Sequence, residues 1–209
     1  MNTTSPRPQQ PLKLHRFALS GHAHRVELLL SLLQLPVELI DVDLGNKAQR
    51  QPEFLRMNAF GQVPVLQDGE ITIADSNAIL VYIAKRYGPH WLPEEPARAA
   101  AVQRWLSVAA GELAYGPAAA RRAVVFKAAG SDEAIARAHD LFAVMENELR
   151  TRNFLAGAEP TIADIANYTY TAHAPEGRVS LEPYPHIRAW LQRIEALPHF
   201  VAMRKTPVG

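Results

Sequence analysis

The chain has 209 residues, 48% of them hydrophobic, enough for one large domain or two small ones with a buried core. Lys and Arg number 22 against 21 Asp and Glu, so no strong overall field draws nucleic acid or anionic lipid to it. Cysteine is absent, which excludes disulfides, thiolate metal ligands, CxxC redox pairs and a cysteine nucleophile together.

The opening MNTTSPRPQQP is polar and proline-rich, so residues 1–11 are expected as a disordered tail, neither a signal peptide nor a membrane anchor. Residues 12–17, LKLHRF, alternate apolar and polar side chains as a short strand does. Val26, Leu29, Leu30 and Leu33 then recur at helical spacing, in a helix that begins near Gly21 and stops before Pro36. VELIDV, residues 37–42, reads as a second strand, and a β-α-β unit of this kind makes its two strands parallel. The apolar run VELLLSLLQLPVELI is interrupted by Glu27, Gln34, Pro36 and Glu38, too short and too polar to span a bilayer, so a cytoplasmic protein is expected.

PEFLRMN allows one or two helical turns, and VPVLQ and EITIA flank Asp68-Gly69 as a hairpin. Asp75-Ser76 caps a helix through NAILVYIAKRY, with Ile79, Leu80, Ile83 and Tyr87 on one face. GPHWLPEEP, residues 88–96, is the expected linker. Beyond it the rhythm is helical. Residues 97–129 are rich in Ala and Arg, with Arg121-Arg122 as a solvated face, and 131–152 carry one apolar stripe from Ile135 to Leu149. Thr161-Ile162-Ala163-Asp164 resembles a capping box, and Pro185 opens a last helix with Ile187, Trp190, Leu191 and Ile194. The expected fold class is α/β plus all-α: a small α/β domain over 12–87, then an all-helical domain over 97–209.

In such a domain, ligands gather beyond the carboxyl ends of parallel strands, where helix N-termini present unpaired N–H groups. Ser20-Gly21-His22 and Asp75-Ser76 occupy two such places, each also explained by simple helix capping. FGQVPVL, residues 60–66, is strand-like except for Pro64, which has no N–H to donate. A cis Val63-Pro64 bond would turn the N–H and C=O of Val63 outward toward a peptide-like ligand; a trans proline on an edge strand is the other possibility. His22 and His24 have H-x-H spacing, but residues two apart on a helix do not share a face, so they are read as helix-surface histidines and no metal is expected.

FGQVPVLQDG followed by ADSNAILVYIA and preceded by QRQPEFLRMNA resembles the glutathione-binding domain of the glutathione transferase family, and the TIADI segment and the two-domain order extend the likeness over nearly the whole chain. The resemblance implies a thioredoxin-like N-terminal domain with a cis proline at Pro64, a helical C-terminal domain and a homodimer. It implies that glutathione is a co-substrate whose cysteinyl residue pairs with the Val63 backbone. Ser76 and Asp75 would hold the γ-glutamyl end, with Gln62 reaching the same ligand, and Gln49-Arg50 would meet the glycine carboxylate where similar sequences carry a basic pair. The catalytic task would be to keep the glutathione thiol ionised for attack on an electrophilic small molecule or a peroxide. Ser20 is the expected hydroxyl; His22, protonated, is its rival. Leu113, Tyr115 and Pro117 are expected around the second substrate, with packing of Tyr115 in the core or an interface as the other reading, and Phe60 as a key into the partner subunit or packed in its own domain. A non-catalytic binding protein of the same fold is the alternative to an enzyme.

Overall fold

The computed structural model describes residues 6–207, so the first five residues of the expected tail lie outside the described residues. Residues 6–11 form neither helix nor strand, and the Arg7 guanidinium donates to the Gln34 carbonyl. The described residues form two compact units, one of residues up to Leu92 with Pro198–Met203, the other of Pro93–Leu197 with the residues from Arg204 on. Residues 198–203 thus return to the first unit, although the sequence suggests they continue the helical domain.

The first unit is a four-stranded mixed sheet in the order β2-β1-β3-β4, with β1 Leu12–Arg16, β2 Val37–Asp41, β3 Val65–Asp68 and β4 Ile71–Ala74. Strand β1 runs parallel to β2 and antiparallel to β3, and β3 pairs with β4 through the hairpin at Asp68-Gly69. Helices α1 (Gly21–Leu32) and α3 (Ser76–Tyr87) pack on one another and bury Val26, Leu29, Leu30, Ile79, Leu80 and Ile83. Each apolar side chain sealed there contributes roughly 1.5–3 kcal/mol. A smaller cluster of Phe54, Val42 and Val65 closes around α2 (Pro52–Met57), with Val63 and Ala74 half-buried against it. This is a thioredoxin-like domain.

The second unit is helical: α4 Pro96–Ala110, α5 Glu112–Tyr115, α6 Pro117–Val125, α7 Ser131–Leu149, α8 Ile162–Ala172 and α9 Pro185–Glu195. The Ala- and Arg-rich run with helical rhythm forms three helices, separated at Gly111 and at Gly116-Pro117, where proline opens α6 at a position needing no N–H. Helix α8 is almost wholly buried, and its capping box is complete: Thr161 Oγ1 accepts from Ala163 N at 3.2 Å and Asp164 Oδ2 accepts from Thr161 N at 2.9 Å. Arg121 corrects an expectation. Far from being solvated, it is 2% exposed and donates through Nε to Glu176 Oε2 at 2.7 Å, while Arg122 is exposed. Among the described residues no helix is long and apolar enough to cross a membrane.

Candidate functional site

The sheet register gathers the candidate residues at one end. His15 lies opposite Val65 and Val65 opposite Ala74, so the chain leaving β1, the chain entering β3 and the chain leaving β4 are neighbours. Those three segments carry Ser20, Val63-Pro64 and Asp75-Ser76.

Ser20 is the N-cap of α1, with an extended backbone; its Oγ accepts from Ala23 N at 3.3 Å and its carbonyl from His24 N at 2.9 Å. The first turn of α1 contains no acid, so the positive end of the helix is not offset by its own side chains. Since Oγ is accepting from the backbone, its proton is available to an anion in front of the helix.

His22, one turn-position on, is not suited to the cationic role. Burial lowers its pKa from the usual 6.5 to about 3, with the nearby Arg25 charge adding to the effect, so the imidazole is neutral at pH 7. Between those two values the unfolded chain binds a proton that the folded chain does not, so stability is complete above about pH 6.5 and declines as pH falls toward 3, by at most about 1.4 kcal/mol per pH unit. Urea unfolding at pH 7 and pH 5 should show this loss in the parent and less of it in His22→Gln; equal losses in the two would show that other groups carry it. His24 also departs from expectation: it is 4% exposed, and its Nε2 lies 3.0 Å from the Val201 carbonyl, because the returning C-terminal segment covers that side of α1. Among the described residues no three His, Asp or Glu side chains cluster as metal ligands would.

The segment before β3 is organised by Asn58, which is 7% exposed. Its carbonyl accepts from Gly61 N at 2.9 Å, its Oδ1 from Phe60 N at 3.0 Å, and its Nδ2 donates to the Gln62 carbonyl at 2.8 Å. Gly61 has φ +57°, and a β-carbon there would stand 2.8 Å from the Gln49 carbonyl oxygen, so both the conformation and the space require glycine. The Val63-Pro64 peptide bond is cis. Among the described residues neither the N–H nor the C=O of Val63 has a hydrogen-bond partner, while Val65 onward is paired in the sheet. Gln62 is exposed.

Gln49 and Arg50 end a short 3-10 turn that runs over this loop. Arg50 Nη1 donates to the Phe60 carbonyl at 3.1 Å, and Gln49 Oε1 is enclosed without a hydrogen-bond partner, an acceptor that a ligand N–H or a water would satisfy.

Asp75 caps α3, its Oδ1 accepting from Ala78 N at 2.9 Å. Its φ of +73° lies where a β-carbon is disfavoured, at a cost of about 1–3 kcal/mol, as strained residues at functional sites often are. Ser76, 6% exposed, accepts at Oγ from Arg25 Nη1 at 3.4 Å, and the same nitrogen donates to Asn77 Oδ1 at 3.0 Å.

Arg25, Asn58 and Asn77 were not singled out from the sequence as site residues. A charge inside the apolar repeat of α1 and the Asn58-to-Gly61 turn spacing were the available signals. In the second unit Tyr115 is 65% exposed, whereas Leu113 is fully enclosed and Pro117 is buried, so of these three residues Tyr115 is the one that presents surface. Phe60 is 77% exposed, a solvent-facing aromatic ring rather than a side chain packed in its own domain.

Residues 10–85 match a family model described as the N-terminal domain of glutathione S-transferase, and residues 104–198 one described as its C-terminal domain. A glutathione S-transferase 3 from Zea mays is 35% identical over 91% of this chain and 91% of its own length. A disulfide-bond oxidoreductase, YfcG, from Escherichia coli (strain K12) is 32% identical over 87% of this chain and 89% of its own. The crystal structure of a glutathione transferase homologue from Drosophila mojavensis with bound glutathione superposes with a TM-score of 0.79 at 29% identity, over 90% of this chain and 89% of that one.

Proposed function

The chain belongs to the glutathione S-transferase family, and from that membership we propose a glutathione transferase in which Ser20 holds the thiolate of glutathione for attack on an electrophilic carbon. The observation that carries the reading is the Val63 backbone. It offers a donor and an acceptor, neither with a hydrogen-bond partner among the described residues, between two helix N-termini, one headed by Ser20 and the other by Ser76. A tripeptide laid along that end of the sheet pairs its cysteinyl amide with Val63, its sulfur toward Ser20 and its γ-glutamyl carboxylate toward the hydroxyl and N–H of Ser76, with Asp75 beside it. Gln62 faces the same ligand, and Arg50 as a cation and Gln49 through its Nε2 donors meet the glycine carboxylate from the turn above.

The chemistry follows from the thiol's free pKa of about 8.5, which leaves only a few per cent ionised at pH 7. Lowering it by about two units requires about 2.7 kcal/mol of preferential stabilisation of the anion. A hydroxyl donating to a charged acceptor contributes about 1.5–3 kcal/mol and a helix N-terminus about 0.3–1, so Ser20 at the start of α1 suffices. The sulfur then forms a bond to the electrophilic carbon as the leaving group departs with the bonding pair. Of the three residues expected around the second substrate, Tyr115 is assigned to it because it presents surface, while Leu113 and Pro117 are enclosed. Phe60 is assigned to the contact with a second copy, in a cytoplasmic homodimer; sedimentation equilibrium showing a monomer at working concentrations would remove that role.

A second reading comes from the relative named a disulfide-bond oxidoreductase. With no cysteine in the chain, both thiols for reducing a disulfide would come from two glutathione molecules, leaving as glutathione disulfide. A hydroperoxide would be reduced to alcohol and water with the same stoichiometry. Calorimetric titration with glutathione, followed by assays with an aryl halide, an organic hydroperoxide and a small disulfide, separates these outcomes. Failure to bind glutathione would sink all of them.

A further inference from the structure

Behind Ser76 lies a charged side chain that none of these roles uses. Arg25 is 1% exposed, and its Nη1 donates to Ser76 Oγ and to Asn77 Oδ1 at 3.4 and 3.0 Å. A hydroxyl has one proton and two lone pairs, whereas a guanidinium has donors only. Once Arg25 has occupied a lone pair on Ser76 Oγ, the serine proton cannot be given back to it and must be directed elsewhere. Ser76 is also the first residue of α3, where no carbonyl four residues earlier is available to its N–H. Both donors of Ser76 therefore stand at the positive end of a helix, with a buried cation behind them.

We propose that Arg25 is a positioning residue for glutathione recognition, orienting the Ser76 hydroxyl as a donor to the γ-glutamyl carboxylate and adding a buried positive charge behind it. The proposal rests on the reading of Ser76 given above. Asp75, beside Ser76, spends one carboxylate oxygen on the Ala78 N–H, and His22, on the same helix as Arg25, is neutral. Arg25 is thus the charge that makes this end of the site selective for an anion rather than for any polar group of the same size. A guanidinium is suited to the task because the two N–H groups of one nitrogen reach Ser76 and Asn77 while its charge, delocalised and weakly hydrated, stays buried.

The test uses two ligands, glutathione and the analogue in which 4-aminobutyryl replaces the γ-glutamyl residue, so that a hydrogen stands where the α-carboxylate was. Calorimetric titration of the full chain should show that the parent prefers glutathione by roughly tenfold or more, as expected for a charge-assisted hydrogen bond. Arg25→Met should abolish most of that preference, weakening glutathione roughly tenfold and the analogue by less than about twofold. Arg25→Lys, which keeps the charge and loses the fork, should retain part of the preference and carries the test if the methionine variant does not fold. Equal weakening of both ligands, or an unchanged preference in a folded variant, would overturn the proposal and make Arg25 merely structural. A parent that does not distinguish the two ligands would instead remove the assignment of Ser76 to the carboxylate, and the proposal with it.

Discussion

Ser20→Ala is expected to lower turnover about 10- to 100-fold, the equivalent of losing one hydrogen bond of about 1.5–3 kcal/mol to a charged acceptor, while glutathione affinity changes by less than about threefold. The two parameters separate because they draw on different parts of the site. On the proposed binding mode, affinity draws on the Val63 backbone, Ser76 and the turn at Gln49-Arg50, none of which shares a hydrogen bond with Ser20 among the described residues. Turnover depends on the fraction of bound thiol that is ionised, and the variant returns that thiol toward its free pKa of about 8.5. The acid limb of the pH-rate profile should therefore move to higher pH, and the deficit should shrink as pH rises. His22 does not blur the assignment in the free protein, since its pKa of about 3 puts its titration well below that limb. Ser20→Thr keeps a hydroxyl and a cap and should recover most of the rate. Part of the cost of the alanine variant is structural, because Ser20 Oγ also accepts from Ala23 N, and losing that cap costs about 1 kcal/mol of stability. An unmoved acid limb in folded Ser20→Ala would show that another donor holds the sulfur, and the neutral His22 ring, as an N–H donor rather than a cation, would be the next to test.

Much of the first unit is legible in the sequence because its elements are local. Period-2 and period-3.6 patterns, the Asp68-Gly69 turn and the Asp75 cap each sit within a dozen residues, and they correspond to β1, α1, β2, the β3-β4 hairpin and α3. Sheet order is less accessible: β1 pairs with β3 across some fifty residues, and that pairing is what brings the segment that carries Ser20 to the same end of the sheet as the one that carries Val63. The buried charges are harder still. Arg121 and Arg122 look alike in sequence, and only the arrival of Glu176, with Thr206 beside it, tells the enclosed one from the solvated one. Arg25 is the same problem inside the site. Its partners, Ser76 and Asn77, come from the start of another helix, and a lone arginine in an apolar repeat does not announce them. His24 looks like a surface residue until residues 198–203 return to cover it. In each case the missing information is a partner distant in the chain, since the cost of burying a charge or an imidazole is met by that partner and not by neighbours in sequence.

Asp164→Asn should destabilise the helical unit by about 3 kcal/mol or more, nearly as much as Asp164→Ala, although it changes one oxygen to nitrogen. The Asp164 side chain is wholly buried and accepts four hydrogen bonds. Oδ1 takes Leu155 N at 2.8 Å and Trp190 Nε1 at 2.9 Å; Oδ2 takes Thr161 N at 2.9 Å and Thr161 Oγ1 at 3.3 Å. Burial pushes the carboxyl pKa up, and the donors restrain that rise. Three of the four partners are N–H groups that can only donate, and only the Thr161 hydroxyl could accept an O–H from a protonated acid, so the donor set favours the carboxylate. An asparagine side chain is mismatched whichever way it is flipped: with its NH2 toward Leu155 N and Trp190 Nε1 two obligatory donors lose their acceptor, and with its NH2 toward Thr161 the hydroxyl can turn to accept but Thr161 N cannot. At best, one buried donor loses its acceptor and one new amide N–H gains none. Since Asp164 joins the loop at Leu155, the start of α8 and Trp190 of α9, the damage reaches three segments of the unit at once. Urea unfolding at pH 7 measures it, with Thr161→Val as a comparison that gives up only the hydroxyl's share, about 1 kcal/mol. An asparagine variant within about 1 kcal/mol of the parent would mean that Asp164 is already protonated in the folded chain, because only a neutral acid is closely imitated by an amide.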